Sequence, residues 1–288
     1  GPATIQPPPS RPGRRLVSQA GTGVAVQLFD RVPLRTIPPN LITASGMVVG
    51  ILSIIQSSTG GYETAAWLIA VAALIDKLDG SVARRLRGSS AFGVQFDSFS
   101  DFVTFGFAPA ALCYFAAPAL APVHWGPAAG PLFGLVPPGP LLATICVLYI
   151  LCAAVRLAKF NIITGESPGW FQGLPSTLSG SLLALIFVAP IELGHNGPLV
   201  PGLLPALMLL NSALMVCNLP LPKLRLWRHP ALRAFQIANG IAVYIMVPLR
   251  FAFWYPLTIL VVYVLVGFIH GVRTGGDRSA PEPVVAPG

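Results

Sequence analysis

Residues 76–84 read Asp76-Lys77-Leu78-Asp79-Gly80-Ser81-Val82-Ala83-Arg84, and residues 93–101 read Gly93-Val94-Gln95-Phe96-Asp97-Ser98-Phe99-Ser100-Asp101. Both stretches lie in long apolar segments, and they hold four of the chain's six aspartates. A charged side chain at the centre of a membrane helix costs roughly 2.5–3.5 kcal/mol on insertion scales, so acids there carry a function or a partner. Residues three or four apart share a helix face. Asp76 and Asp79 therefore point one way, as do Asp97 and Asp101. Two such helices side by side focus four carboxylates into one pocket. Like charges at short range oppose one another's ionisation, so such a cluster calls for a cation. Oxygen donors with no Cys or His beside them suit Mg2+, Mn2+ or Ca2+. Two other readings use the same residues: structural ion pairs with Lys77 and Arg84, or an ion path through a cation transporter. A path would spread acids through the bilayer, whereas these sit at one level with few acids elsewhere in the spans.

The rest of the chain fits a membrane setting. It is 54% hydrophobic and only 10% charged, with a mean hydropathy of +0.71, which excludes an ordinary soluble domain. The net charge of +8 suits anionic lipid headgroups. No dense basic run with interleaved aromatics is present, so a nucleic-acid partner is not expected. Cys113, Cys146, Cys152 and Cys217 lie in apolar segments without zinc spacing and read as small hydrophobes. His124, His195, His229 and His270 fall in loops or at span ends, which argues against a catalytic imidazole.

A helical span needs roughly 20 mostly apolar residues. Spans are predicted at 41–57, 62–86, 94–118, 139–161, 176–193, 199–217, 234–249 and 251–272. The seventh is the shortest, and Pro248 and Arg250 make a tight hairpin of the last two. No internal repeat is evident. Residues 1–13 are Pro-rich and are expected to be a disordered tail, as are residues 274–288. Residues 14–37 mix arginines with apolar residues and suggest an interfacial helix. Asn40, after Pro38 and Pro39, is a candidate helix cap, and 38–273 form one transmembrane domain. Lys and Arg favour the cytoplasmic side. With both termini inside, the inner positions carry Arg84, Arg85, Arg87, Arg156, Lys159, Lys223, Arg225, Arg228, Arg233, Arg273 and Arg278, and the outer loops carry only Arg250. The aspartates then lie near the cytoplasmic ends of the second and third spans, within reach of soluble substrates and lipid headgroups.

Written as a pattern, the two stretches are Asp-x-x-Asp-Gly-x-x-Ala-Arg, eight residues, Gly-x-x-x-Asp-x-x-x-Asp. This resembles the signature of the CDP-alcohol phosphatidyltransferase family, with Asp76, Asp79, Gly80, Ala83, Arg84, Gly93, Asp97 and Asp101 at its fixed positions. The signature covers about a tenth of the chain. The resemblance implies an all-α, polytopic transmembrane bundle of about eight spans. It implies an integral enzyme of a bacterial inner membrane and a homodimer. It implies a Mg2+ or Mn2+ centre, with two metals, on Asp76, Asp79 and Asp97. Asp101 is then the general base and also touches a metal, although spacing alone does not separate Asp97 from Asp101. Asn40, Thr43, Asp79, Gly80, Ala83, Arg84 and Gly93 are the residues it places against CDP-diacylglycerol.

The residue types fit those roles. Displacement at a pyrophosphate needs its charge neutralised, and cations held by shared carboxylates do this. Gly80 and Ala83 leave room for a pyrophosphate, or equally for close helix packing. Arg84 can hold a phosphate bidentately or anchor the inner membrane face. Gly93 is expected to break the chain before the third span.

Further stretches bear on the acceptor. Asp97-Ser98-Phe99-Ser100-Asp101-Phe102-Val103-Thr104-Phe105-Gly106-Phe107-Ala108-Pro109-Ala110 resembles the phosphatidylserine synthase branch of the family. So do Ala154-Val155-Arg156-Leu157-Ala158-Lys159-Phe160-Asn161 and Phe171-Gln172-Gly173-Leu174-Pro175, with Pro39-Asn40-Leu41-Ile42-Thr43 at the first span. Ser81 and Lys159 depart from the Arg of that branch, and Ser100 from its commoner Ala. The branch implies transfer of a phosphatidyl group to L-serine with release of CMP. Arg156 and Lys159, with Asn161, would hold the serine carboxylate. They would equally suit a phosphorylated polyol such as inositol phosphate or glycerol phosphate, or serve as membrane anchors. Choline remains a further acceptor.

Overall fold

The computed structural model describes residues 36–86, 90–120, 139–163, 169–192, 199–223 and 229–274. The interfacial helix expected before Thr36, the N-terminal tail, the tail beyond Thr274, and the outer loops 121–138 and 193–198 lie outside these residues. So do Arg87, Arg225, Arg228, Arg278, His124 and His195.

The chain is built of helices: α1 (Ile37–Ser58), α2 (Tyr62–Leu86), α3 (Ala91–Asp101), a π-helical segment (Phe102–Phe107), α4 (Ala108–Ala119), α5 (Gly139–Ile163), α6 (Ser176–Glu192), α7 (Leu199–Val216), α8 (Pro230–Met246) and α9 (Trp254–Thr274). Helix α3, the π segment and α4 run on as one rod, so among the described residues eight helical segments stand where eight spans are predicted. By length and composition α1, the α3–α4 rod, α5 and α9 are long and apolar enough to cross a membrane. Helix α2 matches them in length, and its apolar run is broken by Asp76, Lys77, Asp79, Arg84 and Arg85.

Helix α1 shows how the bundle closes. Its buried residues are Pro39, Thr43, Gly46, Gly50, Ser53 and Ser57, spaced three and four apart, while Leu41, Val48, Ile51, Leu52 and Ile55 are exposed. Small residues therefore face the protein and large apolar ones face outward. This is the membrane arrangement, because lipid solvates leucine as well as a core does and tight packing needs small side chains. A Cβ on Gly50 would stand 2.4 Å from Thr104 Oγ1 and 3.0 Å from Thr104 Cα. Ser53 donates to the Ala65 carbonyl (2.8 Å), pinning α1 to α2. The apolar core lies among α2, α4, α5, α6 and α7, around Trp67, Tyr149, Phe187, Met208 and Met215.

Four local features differ from the sequence reading. Helix α1 begins at Ile37, with Pro38 and Pro39 in its first turn, where a missing N–H costs nothing. Asn40 is thus inside the helix and does not cap it. Gly93 does not break the chain: Ser90 caps α3, its hydroxyl accepting from Gly93 N at 2.9 Å. The third span carries the unforeseen π segment. A two-stranded antiparallel pair, β1 (Trp170–Gln172) with β2 (Pro220–Pro222), also forms, with Phe171 opposite Leu221. Two of three β2 residues are proline, which argues against a strand in any sequence pattern.

The α8–α9 hairpin is tight, with Arg250 and Ala252 at φ 51°. Arg250 reaches Thr64 at the start of α2 (3.5 Å), the end of the bundle opposite Arg84. Arg84, Arg85, Arg156, Lys159, Lys223, Arg233 and Arg273 all fall at the end that holds the aspartates.

Gly50→Ala should lower the thermal midpoint of the detergent-purified protein, since overpacking costs about 1–3 kcal/mol. Gly240→Ala, made where nothing lies within 4 Å, should not. Equal midpoints for wild type and Gly50→Ala would contradict the close approach of α1 to the π segment.

Candidate active site

The two aspartate pairs meet where α2 and α3 run past α1. Carboxylate oxygens of Asp76, Asp97 and Asp101 lie within 4.8 Å of one another. Asp79 is buried and turned toward α1, where Thr43 Oγ1 stands 2.8 Å from its Oδ2 and 3.1 Å from the Pro39 carbonyl. Ser100, on the same turn as Asp101, donates to the Thr43 carbonyl at 3.2 Å. This accounts for the serine at that position, because its hydroxyl ties α3 to the turn of α1 that holds Asp79. All four aspartates, with Gly46 and Thr104, line a space of about 10 Å³. A single water or ion needs roughly that volume. The donor set is hard oxygen throughout, so the residues fit a divalent cation.

Two larger cavities flank this space. The smaller, about 100 Å³, lies between the starts of α1 and α3 and the end of α2. Its lining includes Asn40, Thr43, Asp79, Gly80, Ala83, Gly93 and Asp97. A Cβ on Gly93 would come 3.0 Å from Asn40 Oδ1, so the glycine keeps α1 and α3 close there. The second cavity, about 420 Å³, opens toward α5 and β1. All four aspartates line it, together with Arg84, Arg156, Asn161, Phe171 and Thr177. Asp79 and Asp97 border all three spaces, whereas Asp76 and Asp101 border the narrow space and the large cavity but not the small one.

Ion pairing does not account for the cluster. The one ion pair among the described residues joins Asp76 to its sequence neighbour Lys77 at 3.4 Å, and Lys77 is 64% exposed. Arg84 curls back along α2 to Ser81 Oγ (3.3 Å), with Nη1 beside Gly80. The other described acids, Glu63 and Glu192, lie at helix ends, so no chain of carboxylates crosses the bundle among the described residues.

The three basic or amide residues of α5 separate. Arg156 is 7% exposed. Its guanidinium lies 5.1 Å from the centre of the Phe160 ring, and no carboxylate of the described residues is within ion-pairing distance. Asn161 donates from Nδ2 to Ser98 Oγ at 2.9 Å, linking α5 to the turn that follows Asp97. Lys159 is absent from the cavity lining and donates to Asn218 Oδ1 beyond α7.

Other lining residues were not singled out in the sequence. Phe160 and Phe171 bring their ring centres within 6.5 Å, and Ser98 and Thr177 supply hydroxyls. The Phe171–Pro175 stretch was the available signal. Gly173 within it has φ +73°, and a Cβ there would stand 2.6 Å from the Cys217 carbonyl. The turn therefore sits on the last carbonyls of α7 and admits only glycine.

The CDP-alcohol phosphatidyltransferase family profile matches residues 36–221, which contain all of this geometry. The chain belongs to that family. Curated relatives agree with the match. The CDP-diacylglycerol–serine O-phosphatidyltransferase of Helicobacter pylori is 29% identical over 235 residues, covering 81% of this chain and 89% of that protein. The protein of the same name from Bacillus subtilis is 32% identical over 149 residues, 51% of this chain and 73% of its own length. The archaetidylserine synthase of Methanothermobacter thermautotrophicus is 30% identical over 187 residues, 64% and 69%. The chain is thus an integral membrane enzyme of the CDP-alcohol phosphatidyltransferase type.

Proposed function

We propose that the enzyme transfers the phosphatidyl group of CDP-diacylglycerol to L-serine, giving phosphatidylserine and CMP. One observation carries this reading: Asp79 and Asp97 stand between two cavities with different linings. The small cavity, walled by Asn40, Thr43, Gly80, Ala83 and Gly93, takes the nucleotide end of the donor. Arg84, on the large-cavity side of Gly80, which both cavities share, reaches the donor's phosphate where the two spaces meet. The large cavity takes the acceptor, whose carboxylate meets Arg156. A buried guanidinium over a ring, with no carboxylate of the described residues in direct ion-pair contact, offers its N–H groups to an anionic acceptor group. Asn161, on Ser98, helps to orient the acceptor. Lys159, paired with Asn218, belongs on this reading to the α5–α7 contact. The names of all three relatives described above contain serine, as the acceptor in two and in the product of the third.

The four aspartates would hold Mg2+ or Mn2+, in a two-metal arrangement, and the bound cations would neutralise the pyrophosphate charge. Asp101 accepts the proton of the acceptor hydroxyl. Its place in the narrow space and in the large cavity, the side assigned to the acceptor, supports this role. The hydroxyl oxygen bonds to the phosphorus that carries diacylglycerol, and the bond from that phosphorus to the CMP oxygen breaks. No enzyme nucleophile is needed. We further infer one transmembrane domain over 38–273, a homodimer, and a site facing the cytoplasm of a bacterial inner membrane. Native mass in nanodiscs checks the dimer.

Asp76→Asn, Asp79→Asn and Asp97→Asn should each abolish CMP release while the protein still inserts and purifies. EDTA should do the same, and Mg2+ or Mn2+ should restore activity. Asp101→Asn should cost on the order of 10²–10⁴ in kcat and leave CDP-diacylglycerol binding intact. Near-full activity in any of these variants removes its assigned role.

An acceptor screen with CDP-diacylglycerol should give CMP release with serine. Arg156→Ala should then raise the KM for serine far more than the KM for the lipid, because a lost carboxylate partner removes binding. Turnover of inositol phosphate, glycerol phosphate or choline in place of serine would change the product and leave the reaction class. Equal damage to lipid binding would unseat Arg156 as the acceptor residue.

Orientation is read by thiol labelling in sealed cells. A cysteine placed at Arg273 should react with impermeant reagents only from the cytoplasmic side. One placed at Arg250 should react only from outside, and the reverse pattern would invert the site.

A further inference from the structure

Helix α9 lies beyond the family match, which ends at residue 221, yet it meets β2 residue by residue. Tyr263, Gly267 and Gly271 are four apart and share one face. Tyr263 donates to the Pro222 carbonyl at 2.7 Å. A Cβ on Gly267 would stand 2.6 Å from Leu221 Cδ1, and one on Gly271 would stand 1.9 Å from the Pro220 carbonyl oxygen. In the strand pair, Pro222, Leu221 and Pro220 face Trp170, Phe171 and Gln172 in turn. The Lys223 N–H also bonds the Gly169 carbonyl at 2.8 Å. On the far side of β1, Phe171 lines the large cavity and packs toward Phe160, the ring under Arg156.

We propose that α9 sets the acceptor-side wall of the active site, with Gly271 and Tyr263 as positioning residues acting through β2 and Phe171. Leu221 is fully buried while Pro220 and Pro222 are half-buried, so the middle of β2 is held in place and a displaced Pro220 bears on its partner Gln172 in β1. Neither glycine touches the cavity. The small cavity is built from α1, α2 and α3 and shares no residue with this chain of contacts. Gly80 and Arg84 also line the large cavity, but from α2 and not from the β1 wall, so the device bears on the acceptor more than on the donor. The inference rests on the assignment of the large cavity to the acceptor.

The test measures both KM values and kcat for wild type, Gly271→Ala, Tyr263→Phe, Phe171→Ala and the double variants with Phe171→Ala. The acceptor used is the alcohol that wild type turns over, so failure with serine alone counts against the serine reading and not against this one. Gly271→Ala should raise the acceptor KM about tenfold, the change that roughly 1.4 kcal/mol of lost binding produces, and leave the lipid KM unchanged. Tyr263→Phe should shift it in the same direction by less. In the Phe171→Ala background both effects should shrink, since coupled residues are non-additive. Gly240→Ala on α8 serves as the control for a neutral helix substitution. Equal increases in both KM values, a loss confined to protein yield, or full additivity with Phe171→Ala would each overturn the proposal. Should Gly271→Ala fail to purify, Tyr263→Phe decides alone, because it removes one hydroxyl and no volume.

Discussion

Four carboxylates must be held close together inside a bundle that is otherwise apolar, and the rest of the structure follows from that constraint. Bringing three acid oxygens within 4.8 Å requires α2 and α3 to approach α1 more closely than large side chains allow. Gly46 and Gly50 provide the approach, with Ile75 Cγ2 3.4 Å from a Cβ on Gly46 and Thr104 even nearer one on Gly50. Hydroxyls then do what larger packing residues cannot. Thr43 bonds Asp79, and Ser100 bonds the backbone of Thr43. Each uses a donor that would be orphaned in hydrocarbon. The polar stripe of α1 thus stabilises the helix contact and orients the acid with one set of atoms.

The π segment is the second consequence. A π turn inserts one residue into a helix, and such turns recur beside functional sites. Here it follows Asp101 directly. The Phe105 carbonyl accepts from Tyr149 at 2.9 Å, and the Tyr149 hydroxyl also meets Ser179 Oγ at 3.1 Å. Gly180 lets α6 come to within 2.9 Å of Phe105, counted from a Cβ built on the glycine. The irregular turn is therefore clamped from α5 and α6. Its register fixes the direction of Asp101 relative to the α4 face that packs into the core.

What was legible in the sequence depended on the range of the signal. The spacing of Asp76, Asp79, Asp97 and Asp101 is local, and the shared faces it predicts are those that line the narrow space. The spans were legible because each is a long apolar run. Their ends were less so: prolines 38 and 39 look like a stop, but at a helix start they are harmless. The π segment left no mark, since its residues Phe102–Phe107 read as ordinary helix. The strand pair joins residues about fifty apart through two prolines, a contact no periodicity reveals. Arg156 and Lys159 looked equivalent at a spacing of three. Only the position of α7 separates them, by offering Asn218 to one and leaving the other over Phe160.

The same difference in range divides the site into two halves. The aspartate side is made from α1, α2 and α3, consecutive in sequence and joined by short connections, so its pattern is compact enough to form a signature. The α5 side draws Arg156 and Asn161 from one helix, Phe171 from a strand, and the support of that strand from β2 and α9. No short motif can encode such an arrangement. Tyr263, Gly267 and Gly271 meet the strand that backs this wall without lining the cavity, whereas Gly80 and Asp97 lie in the lining beside the carboxylate cluster itself. Chemistry common to a family is best kept in the compact half. On the proposed placing of the acceptor, discrimination among alcohols suits the dispersed half, because Phe171 and Arg156 stand on elements that carry none of the aspartates.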